Sequence, residues 1–242
     1  MMTKIKIYVK KQAFHPTLLP GIFLNSFYIA RIKLLKNIKK LAHHFHDGYL
    51  LDVGCGRKPY ESLFNVNSYI GLDVPGGGHD DDAKSADVYY DGKVFPFTDS
   101  FFDYVISNQV LEHVFEPEQF MEEIYRVLKP NGLLLMTVPF VWDEHEIPYD
   151  YGRYTSFGLK YLISKKGFKI IEQYKSGGYV DTLAQMFSMY IYTIFSTKHQ
   201  YLNVFITLFL CSPILISGLF LSRILPRNQN LYLDNVILAR KI

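Results

Sequence analysis

The stretch Leu50-Leu51-Asp52-Val53-Gly54-Cys55-Gly56 constrains this chain more than any other. Apolar residues facing both ways over so short a run mean a strand covered on both sides, as in parallel sheets flanked by helices. Gly54 and Gly56 follow at once, and glycine supplies the backbone freedom for a sharp turn and a close approach of main chain to a ligand. Open α/β sheets bind ligands at the carboxyl ends of their strands, which predicts a site here. The third glycine of a dinucleotide fingerprint is missing, because the chain continues Arg57-Lys58-Pro59-Tyr60. That counts against NAD or FAD.

The rest of the chain fits the same architecture. Short apolar runs predict strands over 69–74, 88–90, 104–107, 133–138 and 168–174, with a short helix near 60–64. A helix is expected over 116–129, where Pro117 opens it, acids crowd the first turn, and Asn131-Gly132 ends it. Another helix is expected over 156–166. LYLDNVILARKI near the end alternates like a strand. Strands interleaved with helices imply βαβ units and a mostly parallel sheet. Asp73 closes the second strand seventeen residues after Gly56. One acid there can accept from two ribose hydroxyls, which suits an adenosine without a 2′-phosphate.

LLDVGCG, YIGLDV, DGKVFPFTDSFFDYVISNQVLEHV and LKPNGLLLMTVP, in that order, resemble the class I S-adenosylmethionine-dependent methyltransferases of the type 11 group. The resemblance covers about residues 49–175 and the last strand. It implies an α/β, Rossmann-like, seven-stranded, mostly parallel sheet with an antiparallel last strand, and S-adenosylmethionine as cofactor. By the same resemblance Asp52 lies beside the methionine moiety, and Gly54, Cys55 and Gly56 line the cofactor through their backbone. Asp73 takes the ribose, Asp91 before Gly92 meets the adenine amino group, and Asn108 and Gln109 border the methyl group. Cys55 is not read as a nucleophile. RKPYESLF, HEIPYDYGRYT and ILPRNQNLYLDNVILARK are similar to a narrower subgroup found with bacterial surface-polysaccharide genes. The loop Gly76-Gly77-Gly78 with Asp80-Asp81-Asp82 departs from the family, which commonly has a full helix there.

Methyl transfer asks mainly for alignment, and a base matters only if the acceptor is a hydroxyl that must lose its proton. His145 and His113 are the candidate bases, since the family places both segments near the acceptor. Glu146, Asp150, Arg153 and Tyr154 are candidate acceptor-binding residues. The plainer alternatives are a packing or capping role for His113 and an Arg153–Asp150 salt bridge that shapes the loop. No metal site is expected: three consecutive acids cannot all face one ion, and His43, His44, His46 and His79 have no ligand-like spacing with cysteine.

Charge is uneven. Residues 1–46 hold nine Lys/Arg and no acid, so the net charge of +3 is the sum of a +9 arm and a −6 remainder. From 23 to 45 the spacing is helical, with Leu34, Leu35, Ile38, Leu41, Ala42 and Phe45 as one stripe and lysines mostly off it. That helix either packs on protein or meets an anionic membrane surface. Residues 182–197 and 199–222 carry no Asp, Glu, Lys or Arg. The second stretch approaches the length of a spanning helix but is interrupted by Asn203, Ser212, Pro213 and Gly218. If the last strand rejoins the sheet, an odd number of crossings is excluded. A lipid-dipping hairpin, interfacial helices or helices packed on protein remain.

The expected organisation is a basic arm (1–48), a methyltransferase domain (49–181 with 227–242) and a hydrophobic helical insertion (182–226). With no secretory leader legible, the expected location is the cytoplasm, peripherally or monotopically on the inner membrane face. The expected activity is O-methylation of a glycan or lipid-linked saccharide. The alternatives are a quinone or isoprenoid ring as acceptor, or a non-catalytic cofactor-binding module for assembly at the membrane. Nucleic acid is not an expected partner, because SNQV stands where an NPPY-type tetrapeptide would, and the basic residues share a helix with an apolar stripe.

Overall fold

Seven strands form one sheet in the order β3-β2-β1-β4-β5-β7-β6, in a computed structural model that describes residues 12–76 and 84–242. They are β1 (Tyr49–Val53), β2 (Ser68–Asp73), β3 (Val88–Tyr89), β4 (Phe102–Asn108), β5 (Leu128–Pro139), β6 (Phe168–Ser176) and β7 (Asp234–Lys241). β1 pairs in parallel with β2 and β4, β2 with β3, and β4 with β5. The Leu233 N–H donates to Ser176 O at 2.9 Å and the Ile242 N–H to Gly167 O at 3.1 Å, so β7 runs antiparallel to β6. This is the expected Rossmann-like sheet. Its order reverses at β1, which has β2 on one side and β4 on the other, and such a switch point opens a crevice at the strands' carboxyl ends.

β1 is buried from Leu50 to Val53, as its unbroken apolar run requires. Helix α3 (Pro117–Val127) sends Phe120, Met121, Ile124 and Val127 into the core. α4 (Ser156–Lys165) is capped by the Thr155 hydroxyl, which accepts from the Gly158 N–H, and it buries Leu159, Leu162 and Ile163. Two boundaries differ from expectation. β5 starts at Leu128, five residues early, because Leu128 pairs with Phe102 across a register irregularity. β7 is buried on both faces from Asp234 to Ala239, because it lies between β5 and β6 rather than at an edge.

Contacts divide the chain into two compact units: residues up to Asn37 with Lys175–Asp234, and Ile38–Tyr174 with Asn235–Ile242. The division crosses the basic arm rather than ending it at 48. The first unit is helical: α1 (Leu18–Leu24), the first part of α2 (Tyr28–Leu41), α5 (Tyr179–Phe195), α6 (Gln200–Ile206) and α7 (Ser212–Ile224). A π-helical turn, Thr207–Cys211, joins α6 to α7. It absorbs Pro213, which has no N–H to give the preceding turn. Gln200–Ile224 is therefore one helix, long and apolar enough to cross a membrane by length and composition.

The expected single helix over 23–45 is instead two helices and a 3-10 turn. They break at Asn25, whose side chain accepts from the Phe27 N–H at 2.8 Å. The stripe Leu34, Leu35, Ile38, Leu41, Ala42 and Phe45 is buried throughout. Within the helical unit, polar side chains serve the backbone. The Gln185 carbonyl accepts from the Ala30 N–H at 3.1 Å, its amide donates to Ser26 O at 3.0 Å, and Ser212 Oγ donates to Ile22 O at 2.8 Å. A methyl at Gly218 would come within 2.2 Å of Ala184 Cβ, so α5 and α7 touch backbone to side chain there.

Candidate active site

The turn after β1 is built on close approach. Gly54 has φ +70°, and a Cβ there would sit 2.4 Å from a Val110 methyl. Its N–H donates to Leu72 O at 2.8 Å, the Cys55 N–H to the same oxygen at 3.2 Å, and the Gly56 N–H to Asp73 Oδ2 at 2.8 Å. All three amides are thus engaged within the protein. What the turn offers a ligand is an open face: a Cβ on Gly56 would meet nothing within 4 Å. Cys55 is buried, and burial with the Asp52 and Asp73 charges pushes its thiol up to about 12. A thiol at that value is no nucleophile. Its place is against Gly71, where a Cβ would fall 2.7 Å from Cys55 Sγ.

Two buried acids flank the turn. Asp73 takes the Gly56 N–H on one oxygen and the Val74 N–H, at 2.8 Å, on the other. A carboxylate has about four acceptor positions, and these two amides take two of them. Lys84 Nζ lies 3.3 Å from Asp73 Oδ1 and also donates to Val74 O and Gly76 O. Asp52 accepts from the Tyr69 hydroxyl at 2.6 Å, and burial pushes its carboxyl up to about 7. An acid poised there becomes charged when a cation arrives, which suits a cationic amino-acid moiety. The residues expected to hold S-adenosylmethionine therefore fit it.

The remaining expected cofactor residues divide. Gly92, at φ +83°, lies beside Val74, where a Cβ would be 3.7 Å from a Val74 methyl, so the Asp91 turn adjoins the Asp73 turn. Asp91 is exposed, and its Oδ1 accepts from the Lys93 and Val94 N–H groups at 2.9 and 3.3 Å, which lower its pKa. Asn108 and Gln109 end β4. Asn108 Oδ1 accepts from the Thr137 hydroxyl at 3.3 Å, and Gln109 donates to Thr137 through both main chain and side chain, at 2.9 and 3.2 Å. Gln109 is held at φ +56°, a left-handed conformation that disfavours non-glycine residues. Such an outlier beside a ligand turn marks a position fixed for a task. It delivers Val110 onto Gly54.

The 3-10 turn Leu111–His113 follows directly. Three residues span at most about 11 Å, so His113 is within that reach of Val110. The 145–154 loop is tied to this turn: the Glu112 carbonyl accepts from the Tyr151 and Gly152 N–H groups at 2.7 and 3.2 Å, and His113 Nδ1 meets Tyr149 O at 2.8 Å. The His113 and His145 rings stand edge to face with centroids 4.7 Å apart, and Glu146 Oε2 is 3.8 Å from His113 Nε2. A carbonyl can only accept, so His113 carries its proton on Nδ1 and a lone pair on Nε2. Burial lowers the His113 pKa, which favours that neutral form.

Arg153 makes a two-point ion pair with Asp150 and also donates to Gly152 O and Asp143 O, each at 3.0 Å. The pairing holds the Asp150 carboxyl down to about 2. This is the loop-shaping salt bridge; the Nη1 and Nη2 donors of Arg153 are used inside the loop, while its Nε is buried with no hydrogen-bond partner among the described residues. Tyr154 is half-buried beside it, with its carbonyl accepting from Asn235 Nδ2 at 2.7 Å.

Sequence reasoning missed Glu112, which is fully buried beside both histidines, and Tyr69, Lys84 and Thr137, which position Asp52, Asp73 and Gln109. Only Glu112 left a signal, as an acid directly before a candidate histidine. The loop glycines Gly77 and Gly78, His79, the run Asp80–Asp82 and the lysines at 4, 6, 10 and 11 lie outside the described residues.

Comparison with known proteins bears on this site. Residues 51–136 match the family model described as "Methyltransferase domain". A "Probable S-adenosylmethionine-dependent methyltransferase" of Mycolicibacterium smegmatis is 28% identical over 133 residues, covering 50% of this chain and 49% of that protein. The chain spans about half the length of the curated relatives it matches first. Among solved structures, the [4+2]-cyclase SpnF has a TM-score of 0.56 at 19% identity, over 88% of this chain and 82% of that one. Phosphoethanolamine N-methyltransferase 2 of Haemonchus contortus, in complex with S-adenosyl-L-methionine, has a TM-score of 0.53 at 18% identity, over 92% and 57%. At such identities the likeness is one of fold, and a fold hosts more than one reaction. Residues 51–136 are thus similar to a methyltransferase domain, and the glycine turn after β1 lies within the matched stretch.

Proposed function

We propose that this protein methylates a hydroxyl of a glycan or lipid-linked saccharide at the cytoplasmic face of a membrane, with S-adenosylmethionine as donor. The observation that carries the transferase reading is the turn in which Gly56, Asp73 and Asp52 meet at the carboxyl ends of β1 and β2. When bound, the cofactor supplies a methyl group already activated on a sulfonium. Asp73 would hold the ribose hydroxyls, Asp52 the cationic methionine end, and the Gly56 face would admit the ligand's bulk.

His113 supports a hydroxyl acceptor. Its Nε2 has no hydrogen-bond partner among the described residues, its Nδ1 proton is fixed on Tyr149 O, and its lowered pKa keeps it ready to accept a proton near neutrality. That ranks it ahead of His145 as base. Residence at a membrane is supported by the helical unit. There Leu183, Phe187, Tyr190, Ile194, Tyr201, Phe205, Phe209 and Phe220 are exposed on helices that carry no Asp, Glu, Lys or Arg between 199 and 222. Apolar exposure on this scale is what an interaction surface needs, and exposed Tyr on helices of low charge suits an interfacial position.

The test has two arms. Isothermal titration is expected to give saturable S-adenosylmethionine binding, and its absence at millimolar cofactor overturns the transferase reading. Mass spectrometry of surface glycans from cells with and without the protein is expected to differ by methyl groups, and identical spectra overturn the saccharide acceptor.

A further inference from the structure

The geometry points to a divalent transition-metal site formed by Glu112, His113 and His145. One ligand atom from each lies within 4.8 Å of the others. The two imidazoles are oriented as metal-ligating histidines are, with the second ring nitrogen committed to an acceptor that fixes tautomer and ring plane. His113 Nδ1 faces Tyr149 O at 2.8 Å. His145 Nδ1 faces Asp143 O at 3.1 Å and the Asp150 carboxylate at 3.2 Å. Asp150 is itself locked by Arg153, so the outer support is a built network. Each histidine is left with its lone pair on Nε2. In His113 that nitrogen is buried with no hydrogen-bond partner among the described residues, 4.0 Å from Glu112 Oε1 and 3.8 Å from Glu146 Oε2.

The donor set decides the class of ion. Two imidazoles and a carboxylate suit zinc, cobalt or ferrous iron rather than magnesium or calcium, which prefer oxygen throughout. Zinc sits about 2.0–2.1 Å from each ligand, holding neighbouring ligand atoms roughly 3.3 Å apart. The cluster must close by about an ångström, within the range of side-chain rotation in Glu112 and His145. Only the use of the ion rests on the methyltransferase reading: with metal bound, His113 Nε2 would be a ligand and not the base, and a coordination position not filled by protein would hold the acceptor hydroxyl and lower its pKa in the base's place.

Full-length protein, stripped with chelator and exchanged into metal-free buffer, is titrated with zinc by calorimetry and with cobalt by visible absorption. One equivalent of each is expected to bind, with cobalt giving a d–d band. His113→Ala and His145→Gln are each expected to weaken binding at least a hundredfold. The exposed His43→Ala is expected to bind like wild type, and zinc to raise the Tm of wild type and His43→Ala but not of His145→Gln. No saturable binding of either metal, or unchanged affinity in both site variants, overturns the proposal. S-adenosylmethionine is titrated separately in the presence of chelator. Cofactor binding without metal binding sinks the metal site alone, whereas metal binding without cofactor binding supports the site and sinks the methyltransferase reading.

Discussion

In the α/β unit, β1 is covered on both faces and α3 turns Phe120, Met121, Ile124 and Val127 inward, while its acids and Arg126 face outward. In the helical unit the pattern inverts. Gln185, Ser188 and Ser212 are buried and bond backbone carbonyls of the 22–26 segment, Thr207 is buried and bonds Asn203 O in its own helix, and Phe187, Phe205, Phe209 and Phe220 are at least half exposed. The first arrangement is what water selects, because apolar area is removed from it. The second puts polar groups where they have partners and apolar ones where solvent meets them, an order that is stable where the surrounding medium is itself apolar. The two units thus differ in what they leave exposed, and the difference can be attacked from either side.

The largest effect is expected on the helical side. Replacing Phe187, Phe205, Phe209 and Phe220 with Ser removes four half-exposed rings, each worth about 1 kcal/mol on transfer to lipid. Sedimentation with anionic vesicles is expected to fall roughly a thousandfold in partition coefficient, with cofactor binding unchanged. Unaltered sedimentation breaks the contrast. On the α/β side, Asp73→Ala removes an acid that holds the Gly56 turn. Its S-adenosylmethionine affinity is expected to drop by about a hundredfold by calorimetry, while vesicle binding stays.

A pair of glycine substitutions separates the units by stability. Gly54→Ala forces a side chain into φ +70° and into Val110, and Gly218→Ala presses on Ala184. Each is expected to cost about 1–3 kcal/mol. Only Gly54→Ala should also lose cofactor binding. The smallest effect is a titration. The Asp52 carboxyl, raised to about 7 by burial, is mostly neutral below that pH, and a cationic ligand needs it charged. Affinity is therefore expected to rise up to tenfold per pH unit below pH 7 and to level off above. The sign for the free protein is the reverse: a raised carboxyl pKa costs stability increasingly as pH climbs from the unfolded value toward 7. Asp52→Asn, which never ionises, is expected to melt higher than wild type at pH 8 and no higher at pH 4. A flat affinity profile from pH 5.5 to 8 would show that Asp52 does not meet a cation.

How much was legible in the sequence follows the same divide. β1, its glycine turn, Asp73 and α3 are local patterns, fixed by burial period, turn residues and helix ends, and they read correctly from residues alone. The placement of β7 between β5 and β6 is not local. Nothing in LYLDNVILARKI says which strands flank it, although its lack of charge between Val236 and Ala239 is what a central strand needs. In the site, His113 and His145 were legible as chemistry-bearing types. Glu112 was not selected, because burial of an acid is a tertiary property. The Arg153–Asp150 pair was legible as one of two alternatives, because the residues stand three apart. The arm's stripe was legible as a stripe, but which surface it meets depends on what the rest of the chain presents.

The position of β7 also orders events in time. β6 joins the sheet through β7, so after residue 176 is made the strand has no partner until 234–241 have followed. Residues 177–233, which include α5, α6 and α7, must be synthesised in that interval. During it the sheet ends at β5, with one edge unsatisfied and open to mispairing. A lipid surface or chaperone that captures 179–224 early would shorten the effective search, by keeping those helices from competing for the same open edge. Folding yield, more than final stability, is where a delay in making β7 would first be felt.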